Sequence, residues 1–244
     1  MHPMRNRNVF GPGGPLSAST TATKLAAALI AGSVIAALAG EAAGWIVLTP
    51  AAMVERFALW QPLTYAFIEI SPMGVIFGAL ILWSVGGALE MQWGGRKLLR
   101  FAIGTAALAG LLTVALAFAW RDVYANPYAG GTVMTTAVWV AYGWSLGRMQ
   151  TGFWGLPLSG NALAWVGVGF VLLQAAFARS IVPVIPEIFA LGFAYVYVRV
   201  GTPRALVLRL RQWKMQRSLR ARARHLRVVT KDRNAGSGSD RYIH

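Results

Sequence analysis

Residues 60–97, WQPLTYAFIEISPMGVIFGALILWSVGGALEMQWGGRK, carry the pattern that decides the fold. Within them, residues 73–89 form an apolar run without Asp, Glu, Lys or Arg, closed by Glu90 and the turn signal Gly94-Gly95. An α-helix needs roughly 18 or more mostly apolar residues to cross the hydrocarbon layer of a bilayer. Comparable runs occupy residues 25–39, 98–120, 130–146, 162–178 and 182–198, so the sequence predicts six transmembrane helices. Pro183 and Pro186 fall in the first turns of the sixth, where helical N–H groups lack partners in any case.

Composition agrees. Of 244 residues, 56% are hydrophobic and only 13% charged, with a mean hydropathy of +0.52. Soluble domains carry about 25% charged residues. The net charge of +15 raises nucleic acid as a partner, but membrane topology accounts for it better. With six spans both termini share one side, and that side receives 20 of the 23 Lys and Arg. Only Arg56, Arg121 and Arg179 fall opposite, and the bias persists when the residues from Arg199 onward are ignored. The positive-inside rule puts the basic side in the cytoplasm. The expectation is a multi-pass protein of the bacterial cytoplasmic (inner) membrane with both termini cytoplasmic and no nucleic-acid partner.

The same reading divides the chain. Residues 1–23, rich in Gly, Pro, Ser and Thr, read as a disordered arm without a signal-peptide cleavage pattern. Residues 24–200 form the membrane domain. Residues 201–230 read as a basic amphipathic cytoplasmic helix and 231–244 as a flexible tail. In that helix Trp213 lies among leucines on one face, while Arg209, Arg211, Lys214, Arg217 and Arg220 crowd the remainder. Such a helix suits anionic lipid headgroups; a solvated helix or an acidic protein partner is the plainer alternative. Cysteine is absent, which excludes disulfides, thiolate metal sites and cysteine nucleophiles. No nucleotide fingerprint and no cluster with metal-ligand spacing occurs, so neither cofactor nor metal is expected. Trp60, Tyr65, Trp93, Trp120 and Trp154 read as interfacial belt residues.

The segment Trp60-Gln61-Pro62-Leu63-Thr64-Tyr65-Ala66-Phe67 resembles the signature that ends the first large loop of rhomboids. Gly86-Gly87-Ala88-Leu89-Glu90 and Gly94-Gly95-Arg96-Lys97 are similar to the family's second-helix ending, and Gly130-Gly131 opens the span where the family places its serine motif. The resemblance covers residues 25–200 and is most specific over 60–97. It implies an all-α, six-transmembrane-helix rhomboid-like bundle, here with a C-terminal basic helix.

The resemblance also implies a catalytic set that this chain lacks. Rhomboid proteolysis uses a Ser at the start of the fourth helix and a His in the sixth that takes its proton. Here His occurs only at positions 2, 225 and 244, all outside the spans. The serine position registers on Thr132 or Val133, and the histidine position near Ile185, beside Pro186 and Glu187. The family's oxyanion-holding His and Asn of the second helix register on Gly74 and Gly78, and a further loop His on Glu69. Without base and oxyanion donors the loss amounts to several orders of magnitude in rate.

The expectation is therefore a non-catalytic rhomboid-like pseudoprotease that binds transmembrane helices of other membrane proteins. It would serve as an accessory subunit of a larger complex or as a membrane chaperone. Gly74-x-x-x-Gly78 is a small-xxx-small face that allows close helix approach, and the old cleft is either packed shut or open to a partner helix. The same glycines read equally as internal packing. Glu69, Thr132 and Glu187 are the polar candidates at the cleft mouth; interfacial water and back-bonding to the helix are their plainer readings. The rival from another class is a divergent intramembrane hydrolase using Thr132 with Glu187 as base. A transporter is disfavoured by the lack of paired charges or broken spans.

Overall fold

The computed structural model describes residues 20–153 and 156–200, together with Met215. Contacts divide the chain into two units, Met1–Arg199 and Val200–His244. The basic helix expected at 201–230, with Arg209, Arg211, Trp213, Lys214, Arg217 and Arg220, lies outside the described residues, as do the tail and all three histidines.

Helix α1 (Thr21–Ala39) continues as a 3-10 turn, Gly40–Trp45. The predicted arm reaches residue 23, but the helix starts earlier because Thr20 caps it, accepting from the N–H of Thr23. The next two N–H groups are satisfied from a distance. Thr21 and Ala22 donate to the two oxygens of Glu90 at 3.0 and 2.8 Å. A carboxylate at a helix N-terminus also meets the positive end of the helix dipole.

The first large loop holds two short helices, α2 (Pro50–Glu55) and α3 (Gln61–Thr64), and a 3-10 turn, Tyr65–Phe67. Its polar residues close backbone gaps. Gln61 is fully buried; its Oε1 accepts from the Thr49 N–H and its Nε2 donates to the Gly44 carbonyl. Thr64 Oγ1 donates to the Ile46 carbonyl, and Trp60 Nε1 to that of Trp45. The Trp-Gln-Pro-Leu-Thr segment thereby stitches the loop to the end of α1.

The second span is composite: α4 (Pro72–Ile81), a π-helical turn at Leu82–Gly86, and α5 (Gly87–Trp93). A left-handed Gly94 (φ 81°) turns the chain into α6 (Gly95–Ala117), followed by α7 (Arg121–Ala125) and α8 (Gly131–Leu146). The connector expected at 152–160 belongs to an antiparallel hairpin, β1 (Gln150–Phe153) with β2 (Leu156–Ser159). Helix α9 (Gly160–Ala178), a 3-10 turn Val182–Val184 and α10 (Ile185–Val200) complete the unit.

Among the described residues five helices are long and apolar enough to cross a membrane: Thr21–Trp45, Pro72–Trp93, Gly95–Ala117, Gly160–Ala178 and Val182–Arg199. The fourth expected span departs from this. At 16 residues, α8 is about 24 Å long, short of a hydrocarbon core of about 30 Å. It is also a central helix, packed against α4, α6 and α9, with ten of its residues buried. A helix sheathed in protein need not match the lipid thickness, because its ends are satisfied by other segments.

We expect Glu90→Ala to lower the unfolding free energy by about 2 kcal/mol, the scale of charge-assisted hydrogen bonds lost from a helix start. Glu90→Gln, which keeps one acceptor, should lose less. Denaturant titration of the detergent-solubilised protein, followed by tryptophan fluorescence, measures both.

Candidate functional site

Helix α8 starts inside the protein, and the N–H groups of Gly130, Gly131 and Thr132 are all engaged. Gly130 donates to the Tyr65 carbonyl and Gly131 to the Ile68 carbonyl, each at 2.9 Å. Thr132 donates to Oε2 of Glu69 at 3.1 Å. Glycine is required at both openings. A Cβ on Gly130 would lie 2.5 Å from the Tyr65 ring, and one on Gly131 would lie 2.7 Å from a Leu29 methyl.

Tyr65 is the wedge under this junction. It is wholly buried, its ring fills the space left by Gly110 and Gly130, and its hydroxyl donates to the Ala106 carbonyl. Burial pushes its phenol well above the usual tyrosine range. The belt position expected for Tyr65 is thus corrected: the ring supports the core, because the two glycines leave a slot for it. Trp60 remains half exposed and stacks on Trp45; Trp154 lies outside the described residues.

Glu69 is half buried. Its Oε1 accepts from the N–H groups of Ile70 and Ser71, and its own N–H donates to Ser33 Oγ at 2.9 Å. Ser33 in turn donates to the Leu29 carbonyl. Burial raises the Glu69 carboxyl above its ordinary value, against the opposing pull of the N–H groups of Ser71, Thr132 and Ile70. Glu187, on the first turn of α10, is only 4% exposed. Its Oε1 accepts from Thr132 Oγ1 at 3.1 Å, while Oε2 has no hydrogen-bond partner among the described residues. Thr132 therefore touches both carboxylates, one through its N–H and one through its hydroxyl. Thr135 bonds back to the Thr132 carbonyl.

A cavity of about 620 Å³ opens between α4 and α9, with α8 as its floor. Its apolar walls include Met73 and Phe77 from α4 and Val166 and Phe170 from α9. Its polar lining includes Glu69, Thr132, Thr135, Thr136 and Gln174. Glu187 is not part of the lining, so the structure separates the two glutamates expected at one mouth: Glu69 faces the cavity and Glu187 backs Thr132 from the protein side. Gly74 and Gly78 also line the cavity, yet their missing side chains serve internal packing. A Cβ on Gly74 would meet Glu69 Cδ at 2.7 Å, and one on Gly78 a Leu29 methyl at 2.9 Å. Sequence reasoning did not single out Ser33 or Gln174. The signal was present, since each is a lone polar residue inside an apolar run. Among the described residues no group of three or more His, Cys, Asp or Glu is placed to hold a metal ion.

A buried helix start closed by the preceding loop, with long apolar helices around it, defines a multi-pass, all-α membrane protein of the rhomboid kind. The family model described as "Eukaryotic integral membrane protein (DUF1751)" matches residues 23–200, and the chain belongs to that family. It is also similar to the rhomboid protease GlpG of Salmonella choleraesuis (strain SC-B67), with 28% identity over 122 residues, 48% of this chain and 41% of that protein. The GlpG rhomboid proteases of Salmonella newport (strain SL254) and Salmonella typhi match with the same identity and coverage. The chain thus spans about two-fifths of the length of these curated relatives.

Two measurements test the site's packing and charge. Gly78→Leu should destabilise the fold by about 2 kcal/mol through overpacking against Leu29 and Thr135, read as an earlier unfolding midpoint in detergent. The raised Glu69 carboxyl means that the folded state holds its proton more tightly than the unfolded chain does. Its contribution to stability is complete below the ordinary value of 4.5 and is lost as pH rises through the folded value. Melting temperatures of wild type minus Glu69→Gln should therefore fall as pH increases across that window.

Proposed function

We propose that this protein is a non-catalytic rhomboid-like membrane protein whose groove between α4 and α9 holds transmembrane segments of other membrane proteins. Its setting is an accessory subunit of a larger membrane complex, or a chaperone that engages clients transiently. The basic tail contacts anionic lipid headgroups. Both termini face the cytoplasm, the side that collects Arg96, Lys97, Arg100 and Arg148. The charge pattern supports this orientation, and the Salmonella relatives support a bacterial inner membrane, alongside a family description that names eukaryotic members.

One observation carries the non-catalytic reading: two backbone carbonyls and a carboxylate occupy donors that an acyl-transfer site must keep open. Catalysis through an alkoxide needs preorganised N–H groups aimed at the developing negative charge. At the start of α8 those of Gly130 and Gly131 are taken by carbonyls and that of Thr132 by Glu69. A negative oxygen forming there would meet Glu69 instead of a donor. The open, mostly apolar groove beside this closed corner supports binding without turnover.

The hydrolase reading has its own observation, the 3.1 Å hydrogen bond from the Thr132 hydroxyl to Glu187. That contact supplies a base for a nucleophile and leaves the oxyanion without a donor. The test is incubation of the purified protein in nanodiscs with a fluorophosphonate probe and a rhomboid model substrate. We expect neither labelling nor cleavage. Labelling at Thr132, or cleavage abolished by Thr132→Val, would establish the hydrolase instead.

A further inference from the structure

The groove's polar groups are unbalanced in a way that specifies its occupant. Glu69 is the one charged residue of the lining among the described residues; no Lys, Arg or His shares it. Its Oε2 accepts a single N–H, from Thr132, so lone-pair capacity remains. Behind Thr132 sits a second carboxylate, Glu187, whose Oε2 is buried and has no hydrogen-bond partner among the described residues. Two further groups on the groove, the Thr136 hydroxyl and the Gln174 amide, have no hydrogen-bond partner among the described residues. Gln174 is exposed on a helix that is otherwise almost wholly apolar.

Polar groups facing hydrocarbon gain from a bonded partner, and a carboxylate gains most from a cation. An acyl chain can satisfy none of the three. Another transmembrane helix can, because polar side chains on its surface can reach across the interface. Glu69, Gln174 and Thr132 all lie toward the end of the bundle at which α4 and α8 begin and α9 finishes. The complementary feature therefore belongs near one end of the partner helix and not at its centre.

We propose that the groove selects transmembrane segments bearing a Lys or Arg near the end that lies beside Glu69, and that this cation pairs with the Glu69 carboxylate. The inference rests on the groove holding transmembrane segments, and it adds the chemistry by which they are chosen. The partner's flanking polar groups bond Thr136 and Gln174.

The test uses the full chain in phosphatidylcholine nanodiscs and a Leu/Ala transmembrane peptide of about 23 residues. One peptide carries a single Lys and a Ser one turn away near the appropriate end, its companion carries Leu at both places, and each bears a photoreactive side chain. We expect the Lys peptide to be captured on α4 and α9 about tenfold better than its companion, the scale of one to two interhelical polar contacts. Glu69→Gln should remove most of that preference, and Glu69→Asp, which keeps the charge, should retain it. Gln174→Leu, at an exposed position, should reduce it about threefold. The comparison of two peptides on the unaltered chain requires no variant to fold. Equal capture of both peptides overturns the proposal and leaves transmembrane binding standing; capture of neither overturns both. Loss of the preference when phosphatidylethanolamine replaces phosphatidylcholine assigns the cation to a lipid ammonium group and also overturns it.

Discussion

A helix that begins at depth inside a membrane protein exposes N–H groups that no water reaches. Helix α8 meets that constraint with the chain immediately after α3: the carbonyls of Tyr65 and Ile68 and the carboxylate of Glu69 take the N–H groups of Gly130, Gly131 and Thr132. Much else follows from this junction. Two glycines must open α8 so that the loop can approach, Tyr65 must sit beneath it as a spacer, and Gly110 must admit the ring. Gly74 must lack a side chain because Glu69 occupies that space. The loop is in turn fixed to α1 through Ser33 and to the segment that follows α1 through Gln61 and Thr64. The most specific stretch of the sequence is thus the part that closes the central helix.

Much of this architecture was legible. Long uncharged runs have one physical interpretation in a chain with so few charges, and five of the six emerge as helices long and apolar enough to cross a membrane. The rhomboid relationship was legible from residues 60–97, because glycine, tyrosine and glutamine at those spacings answer the packing demands just described. The length of α8 was less accessible. Its apolar run extends from residue 130 to 146, but hydropathy cannot separate a helix facing lipid from a shorter one sheathed by neighbours. The hairpin at Gln150–Ser159 was hidden for a related reason: Gly152 and Pro157 signal a turn-rich connector, and antiparallel pairing depends on where α8 and α9 bring the ends.

The site divided along similar lines. Glu69, Thr132 and Glu187 could be singled out because ionisable and hydroxyl groups are rare in this chain, and the structure brings all three together. Their roles were not readable, since Glu187 is buried behind Thr132 while Glu69 faces the cavity, a difference set by helix rotation and not by sequence position. Tyr65 illustrates the converse error. An aromatic with a hydroxyl at the edge of a span fits an interfacial belt by composition, and only the facing Gly110 and Gly130, distant in sequence, show that its place is inside.

The departures from the rhomboid pattern alter the electrostatics of this corner. Where the resemblance places the second-helix imidazole and amide, which donate hydrogen bonds to a developing oxyanion, this chain has Gly74 and Gly78, and where it places a loop imidazole it has the carboxylate of Glu69. Neutral donors lower the energy of negative charge at the start of α8; carboxylates raise it, and in a medium of low dielectric the penalty is larger than in water. In the reading proposed above, the same corner is suited to a cation instead of an anion. On that reading, the carboxylate that disfavours the tetrahedral intermediate of peptide hydrolysis is the same group that pairs with a positively charged side chain on a neighbouring helix.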